Sequence, residues 1–129
     1  MFLIGGTVSK VIVVDDAPFI LMMIEDSLKK ANINVITLRK SLNALEVIKK
    51  EKPNLVILDW MMPELNGIEI CKMMKNDPDI SDIPVFMLTG KGQDTDEQLS
   101  LQCGVAKYIT KPFSLKSLLD MVQETIGNK

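Results

Sequence analysis

The sequence predicts an α/β fold, a parallel sheet of five strands with helices on both faces. Three observations carry that expectation. Short apolar, β-branched runs alternate with segments of helical periodicity, five of each, the pattern of consecutive βα units. Residues 55–58 (LVIL) are apolar at every position, as suits a strand buried on both faces. Several of the runs end on residues able to do chemistry, at the strand ends where open α/β sheets bind their ligands.

Taken in order, residues 10–14 (KVIVV) are the first strand, ending in Asp15-Asp16, with Pro18 at a favoured first helical position. The first helix runs to about Ala31, and Ile20, Met23, Ile24, Ser27, Leu28 and Ala31 form its inward stripe. Residues 34–38 are the second strand and 41–50 the second helix, with Leu42, Leu45 and Ile48 facing inward until Pro53 intervenes. The third strand, 55–58, runs into Asp59 just past its end, and Pro63, Asn66 and Gly67 turn the chain into a helix over 67–76. Residues 84–89 (PVFMLT) are the fourth strand, and Asp94 or Thr95 caps a fourth helix that stops at Gly104. Residues 107–110 are the fifth strand, and Ser114 caps a last helix reaching about Ile126.

The length of 129 residues suits one domain, expected over 10–126, with an N-terminal extension at 1–9 and a short tail at 127–129. Apolar residues at 47% and charged residues at 25% place the chain among soluble globular proteins. A net charge of −2 from interspersed charges offers no basic face for nucleic acid. The apolar start MFLIGG is too short for a signal sequence and no later run spans a bilayer, so no membrane association and a cytoplasmic location are expected. Cys71 and Cys103 read as buried free thiols rather than a disulfide framework. Histidine is absent, which excludes Ser-His-Asp and Cys-His nucleophiles, the usual zinc sites and a phosphohistidine on this chain.

In a parallel sheet the C-terminal strand ends share one edge. That edge collects Asp15, Asp16, Asp59, Thr89 and Lys111. Clustered carboxylates repel unless a cation or protons intervene, and a hard divalent ion such as Mg²⁺, with oxygen ligands from carboxylates and phosphate, answers that need.

These residues resemble the receiver domains of two-component response regulators. The resemblance rests on VVDD (residues 13–16), D-x-x-M-P-x-x-x-G (59–67), a strand ending in Thr89, and Y-x-x-K-P-F (108–113). It implies a flavodoxin-like, doubly wound sheet in the order 2-1-3-4-5. It implies that Asp59 is the phosphoacceptor for a histidine kinase or histidine phosphotransfer protein, with no enzyme activity beyond self-catalysed phosphorylation and dephosphorylation. The cofactor implied is Mg²⁺, or Mn²⁺ in its place, held directly by Asp16 and Asp59 and by the backbone carbonyl of Met61, with Asp15 acting largely through water. Lys111 would neutralise phosphoryl oxygens and Thr89 would hydrogen-bond the phosphoryl group. Tyr108 would then change rotamer toward Thr89, altering the surface of the fourth helix, fifth strand and fifth helix that controls an output protein.

Gly90 stands where the family usually has alanine, which is expected to loosen the loop carrying Lys91 and Gly92. A haloacid-dehalogenase-like phosphatase would need a second aspartate at Met61, and a flavodoxin would need a Ser/Thr/Gly phosphate loop in place of Asp15-Asp16. A receiver-fold interaction module that is never phosphorylated is the remaining alternative. On the first helix Met22 is expected opposite the buried stripe, with Phe19 and Leu21 at its margins. With Pro112 and Phe113 this apolar surface is expected to dock the phosphodonor. A stand-alone receiver, monomeric or dimerising weakly on phosphorylation, is expected from a chain with no second domain.

Overall fold

Five short runs rich in Val, Ile and Leu form the five strands, because branched side chains pack well on a pleated surface covered from both sides. The computed structural model describes residues 9–90 and 103–127. Its strands are β1 (Lys10–Val14), β2 (Asn34–Leu38), β3 (Leu55–Asp59), β4 (Val85–Thr89) and β5 (Lys107–Thr110), all parallel in the order β2-β1-β3-β4-β5. The helices are α1 (Pro18–Lys30), α2 (Ala44–Glu51), α3 (Gly67–Lys75) and α4 (Leu115–Ile126). Four helices therefore stand among the described residues. The helix expected over 94–104 lies outside them except for its end, where Gly104 has φ +85°. None of the described helices is long and apolar enough to cross a membrane.

Alternation along the strands sorts the core into two halves. Ile12, Val14, Val56, Leu58, Val85 and Met87 pack with Ile48 of α2 and with Ile70, Cys71 and Met74 of α3. Val11, Val13, Leu55, Ile57, Phe86 and Leu88 pack with Leu21, Ile24 and Leu28 of α1 and with Leu118 and Val122 of α4. Cys71 and Cys103 are buried and free, and burial pushes the Cys71 thiol up to about 11.

Two expectations are corrected. Met23 is 38% exposed, whereas Leu21, expected at the margin, is buried. Periodicity fixes the spacing of an apolar stripe, but its phase is set by what it packs against, here the sheet and α4. Helix α2 begins at Ala44 and leaves Leu42 58% exposed. Ser41 is held outside the helix by donating to the Pro63 carbonyl at 2.8 Å and accepting from the Leu65 N–H at 3.1 Å. That strap ties the β2–α2 loop to the β3–α3 loop.

Candidate functional site

Each acidic or basic side chain of the site follows directly from a strand end. Asp15 leaves β1 with its N–H on the Leu38 carbonyl at 3.1 Å, and its Oδ1 accepts the Ala17 N–H at 2.9 Å. Asp16 is exposed beside it and does not cap α1, whose N-cap is Ala17. Asp59 ends β3, where the next residue, Trp60, donates its N–H to the Leu88 carbonyl at 2.8 Å and accepts the Gly67 N–H at 3.0 Å. Lys111 follows β5 with its own N–H on the Thr89 carbonyl. Its Nζ lies 3.0 Å from Asp15 Oδ2 and 3.1 Å from Asp59 Oδ1.

Asp15 is fully buried and Asp59 nearly so. Burial, then the charge of Asp15, pushes the Asp59 carboxyl up to about 6 against the pull of Lys111. Burial works against the ammonium of Lys111, but its two carboxylate partners outweigh it and hold its pKa above the usual lysine value. Asp15, Asp16 and Asp59 each offer an oxygen, and these lie within 4.8 Å of one another. Three hard donors so close, with one ammonium among them, suit a divalent cation of the Mg²⁺ class.

Thr89 is buried at the end of β4, and its Oγ1 has no hydrogen-bond partner among the described residues. A buried hydroxyl left this way favours any oxygen ligand that reaches it. Tyr108 is half-buried on β5 and packs on the α2–α3 side of the sheet. Met61 is 69% exposed at the rim. Phe19, Pro112 and Phe113 come together with Ile20, Met23 and Lys111 around an apolar cleft of ≈ 340 Å³. Met22 is exposed on the same helix but outside that lining. Lys91 and Gly92 lie outside the described residues.

Two supports of the site escaped sequence reasoning. Asn66 and Glu69 form a reciprocal capping box at the start of α3, a signal present in the sequence as N-x-x-E. Gly67 packs so tightly that a Cβ there would lie 2.6 Å from the Asp59 carbonyl oxygen and 2.6 Å from Met87 Sδ. Only the folded chain reveals this. Gly90 is the opposite case, for a Cβ there meets nothing within 4 Å among the described residues and its φ is not left-handed. Gly90→Ala is therefore expected to raise stability by about 0.5 kcal/mol, by narrowing the unfolded ensemble; urea denaturation showing a loss above that size would refute it.

Comparison with known proteins agrees with this geometry. The family model of the response regulator receiver domain matches residues 11–123. The alkaline phosphatase synthesis transcriptional regulatory protein PhoP of Bacillus subtilis is 39% identical over 105 residues, covering 81% of this chain and 43% of that protein. The phosphate regulon transcriptional regulatory protein PhoB of Pseudomonas aeruginosa is 38% identical over 117 residues, covering 91% of this chain and 50% of that protein. The chain thus spans about half the length of these relatives or less. Among solved structures, the chemotaxis response regulator CheY4 of Vibrio cholerae superposes with a TM-score of 0.85 at 28% identity, covering 92% of this chain and 99% of that one. The Francisella response regulator 1452 receiver domain does so with a TM-score of 0.85 at 28% identity, covering 92% and 97%. With Asp59, Lys111 and the paired acids of β1 gathered on one sheet edge, and a match running nearly end to end, the chain belongs to the response regulator receiver domain family of two-component signalling.

Proposed function

We propose that this domain receives a phosphoryl group on Asp59 from a histidine kinase or histidine phosphotransfer protein and passes the signal to a partner protein. The observation that carries the reading is the seat of Asp59, 3.1 Å from the Lys111 ammonium and in one acidic cluster with Asp15 and Asp16. A carboxylate oxygen of Asp59 bonds to phosphorus as the bond from phosphorus to the donor's imidazole nitrogen breaks, the imidazole keeping the electron pair. Asp16, Asp59 and the Met61 carbonyl would hold Mg²⁺, with Mn²⁺ a substitute. Asp15 would act largely through water, in keeping with its two oxygens already engaged by Ala17 and Lys111. The ion supplies charge neutralisation of the phosphoryl oxygens when bound.

Lys111 would add a positive charge 3.1 Å from Asp59, and Thr89 would offer its hydroxyl to a phosphoryl oxygen. Thr89 and Tyr108 sit on the paired strands β4 and β5, which supports Tyr108 moving toward Thr89 and changing the neighbouring output surface. Catalysis is confined to loading and unloading of Asp59. The location is read as cytoplasmic and the state as monomer or weak phosphorylation-dependent dimer. Output from this domain is read as protein contact; the two relatives above are named as transcriptional regulators.

Trp60, the only tryptophan, adjoins Asp59 and is 8% exposed. Its fluorescence is expected to change saturably with Mg²⁺ and to change further with acetyl phosphate or beryllofluoride. Asp59→Asn abolishes the second response; its persistence would move the acceptor elsewhere.

The phosphodonor is proposed to dock on Phe19, Met22, Pro112 and Phe113, a reading supported by the apolar cleft and by Met22 being 67% exposed. Met22→Glu is then expected to slow transfer from the kinase about tenfold, a loss of ~1.4 kcal/mol of docking energy, and to leave acetyl phosphate labelling unchanged. Equal transfer rates from the kinase would remove Met22 from the docking surface.

A further inference from the structure

The backbone of Glu64 is left-handed, at φ +73°. Asn32 and Lys52 share a positive φ, but Asn32 follows the end of α1 and Lys52 caps the end of α2. A left-handed residue is ordinary at those places. Glu64 ends no helix and is exposed in the loop from β3 to α3. Such a conformation in a residue with a side chain persists only where its surroundings hold it.

The two bonds of Ser41 enclose that residue. Its hydroxyl donates to the Pro63 carbonyl, just before Glu64, at 2.8 Å, and accepts the Leu65 N–H, just after it, at 3.1 Å. A hydroxyl can do both at once. Ser41 is buried, and its own carbonyl accepts the Ala44 N–H at 3.1 Å where α2 begins. The clamp is thus seated on a helix packed into the core. Among the described residues, no other segment gives residues 61–66 a hydrogen bond. The base of the loop is closed by the Gly67 N–H on the Trp60 carbonyl at 3.0 Å, and its tip by Ser41. Asp16 of the acidic cluster lines the same cleft as Ser41, Pro63 and Glu64, so the clamped turn borders the proposed cation site.

We infer that Ser41 is a positioning residue for the divalent cation. Its hydroxyl holds the turn at Glu64, and with it the loop that carries Met61, so that the ligand set is shaped before the ion arrives. The inference rests on the proposed function, in which Asp16, Asp59 and the Met61 carbonyl hold the ion. Ser41 acts through the loop backbone and not by contact with the ion. What it controls is geometry. Mg²⁺ demands near-octahedral oxygens at about 2.0–2.1 Å, whereas Ca²⁺ accepts flexible arrangements at about 2.3–2.6 Å. A clamped loop therefore favours the smaller ion, and a loosened one serves the larger ion nearly as well.

The test titrates the full chain with Mg²⁺ and reads Trp60 fluorescence, with Ca²⁺ read by its competition and folding checked by circular dichroism. Ser41→Ala is expected to weaken Mg²⁺ binding about tenfold, as loss of an outer support does at metal sites. Ca²⁺ binding is expected to weaken by less than about threefold. In a Glu64→Gly background the left-handed turn needs no clamp, and the Mg²⁺ loss from Ser41→Ala is expected to shrink to about threefold or less. Should Ser41→Ala fail to fold, Glu64→Val tests the same turn from an exposed position. It loses the same charge as Glu64→Gly but resists a positive φ, so it is expected to bind Mg²⁺ at least about threefold more weakly than Glu64→Gly. Equal losses for both ions, no loss for either, an undiminished loss in the Glu64→Gly background, or equal affinities of Glu64→Val and Glu64→Gly would overturn the inference and leave the ligand set standing. A wild-type chain that gives no response to Mg²⁺ would overturn the ligand set itself.

Discussion

Gly67→Ala is expected to lower the unfolding free energy by roughly 2–3 kcal/mol and to weaken the Mg²⁺ response of Trp60. The added methyl group would stand 2.6 Å from the Asp59 carbonyl oxygen, which belongs to the backbone and cannot rotate aside. Met87 Sδ, also at 2.6 Å, can move only within a fully buried core. Relief must come from a shift of α3 away from β3, and that shift carries the Trp60–Gly67 hydrogen bond and the seat of Asp59 with it. Urea denaturation with and without Mg²⁺ reads both effects. Stability within 0.5 kcal/mol of wild type would mean that α3 is not held against the acceptor strand as described.

Asp59→Asn is expected to stabilise the metal-free protein at pH 7.5 by roughly 1–2 kcal/mol, about 5 °C in Tm for a domain of this size. The Asp59 carboxyl is raised from 3.8 to about 6 by burial and by Asp15. The folded state therefore holds the proton more tightly than the unfolded chain does. Stability from this group falls as pH rises through the window from about 4 to 6, and the full cost remains above it. Each pKa unit corresponds to about 1.4 kcal/mol, and the loss of the Lys111 pairing in the variant trims the gain. The advantage of Asp59→Asn should shrink toward pH 4 and vanish only below 3.8, where the wild-type carboxyl is protonated in both states. Mg²⁺ should raise the Tm of wild type well above that of the variant. A less stable variant at pH 7.5 in EDTA would show that Lys111 contributes more to holding this acid than burial and Asp15 take away.

Much of this arrangement is legible in the chain itself. Three of the five strands match their expected bounds; β3 runs one residue further, to include Asp59, and β4 starts one residue late, at Val85, because Pro84 lacks the N–H a ladder needs. Strand ends are readable since an apolar run must stop where a polar side chain appears, and in a parallel sheet those stops fall on one edge. That is why Asp15, Asp59 and Lys111 could be grouped from their positions alone. What stayed hidden depends on contacts between distant segments. Ser41 looks like a helix start until Pro63 and Leu65, more than twenty residues on, claim its hydroxyl. Leu21 and Met23 are chemically alike, and only the placement of the sheet and α4 decides which faces inward. The tight fit at Gly67 leaves no mark in the sequence beyond the glycine, which a turn would explain equally well.

The restraint on α3 has a mechanical consequence. At one end the close seat of Gly67 and its N–H on the Trp60 carbonyl pin it to the acceptor strand; at the other, Lys75 Nζ donates to the Ser81 and Ile83 carbonyls at 3.1 and 2.9 Å, just ahead of β4. A strut fastened at both ends transmits force without bending. On the proposed function, a displacement at Asp59 would therefore be expected to pass along the sheet edge toward Thr89 rather than be taken up by α3.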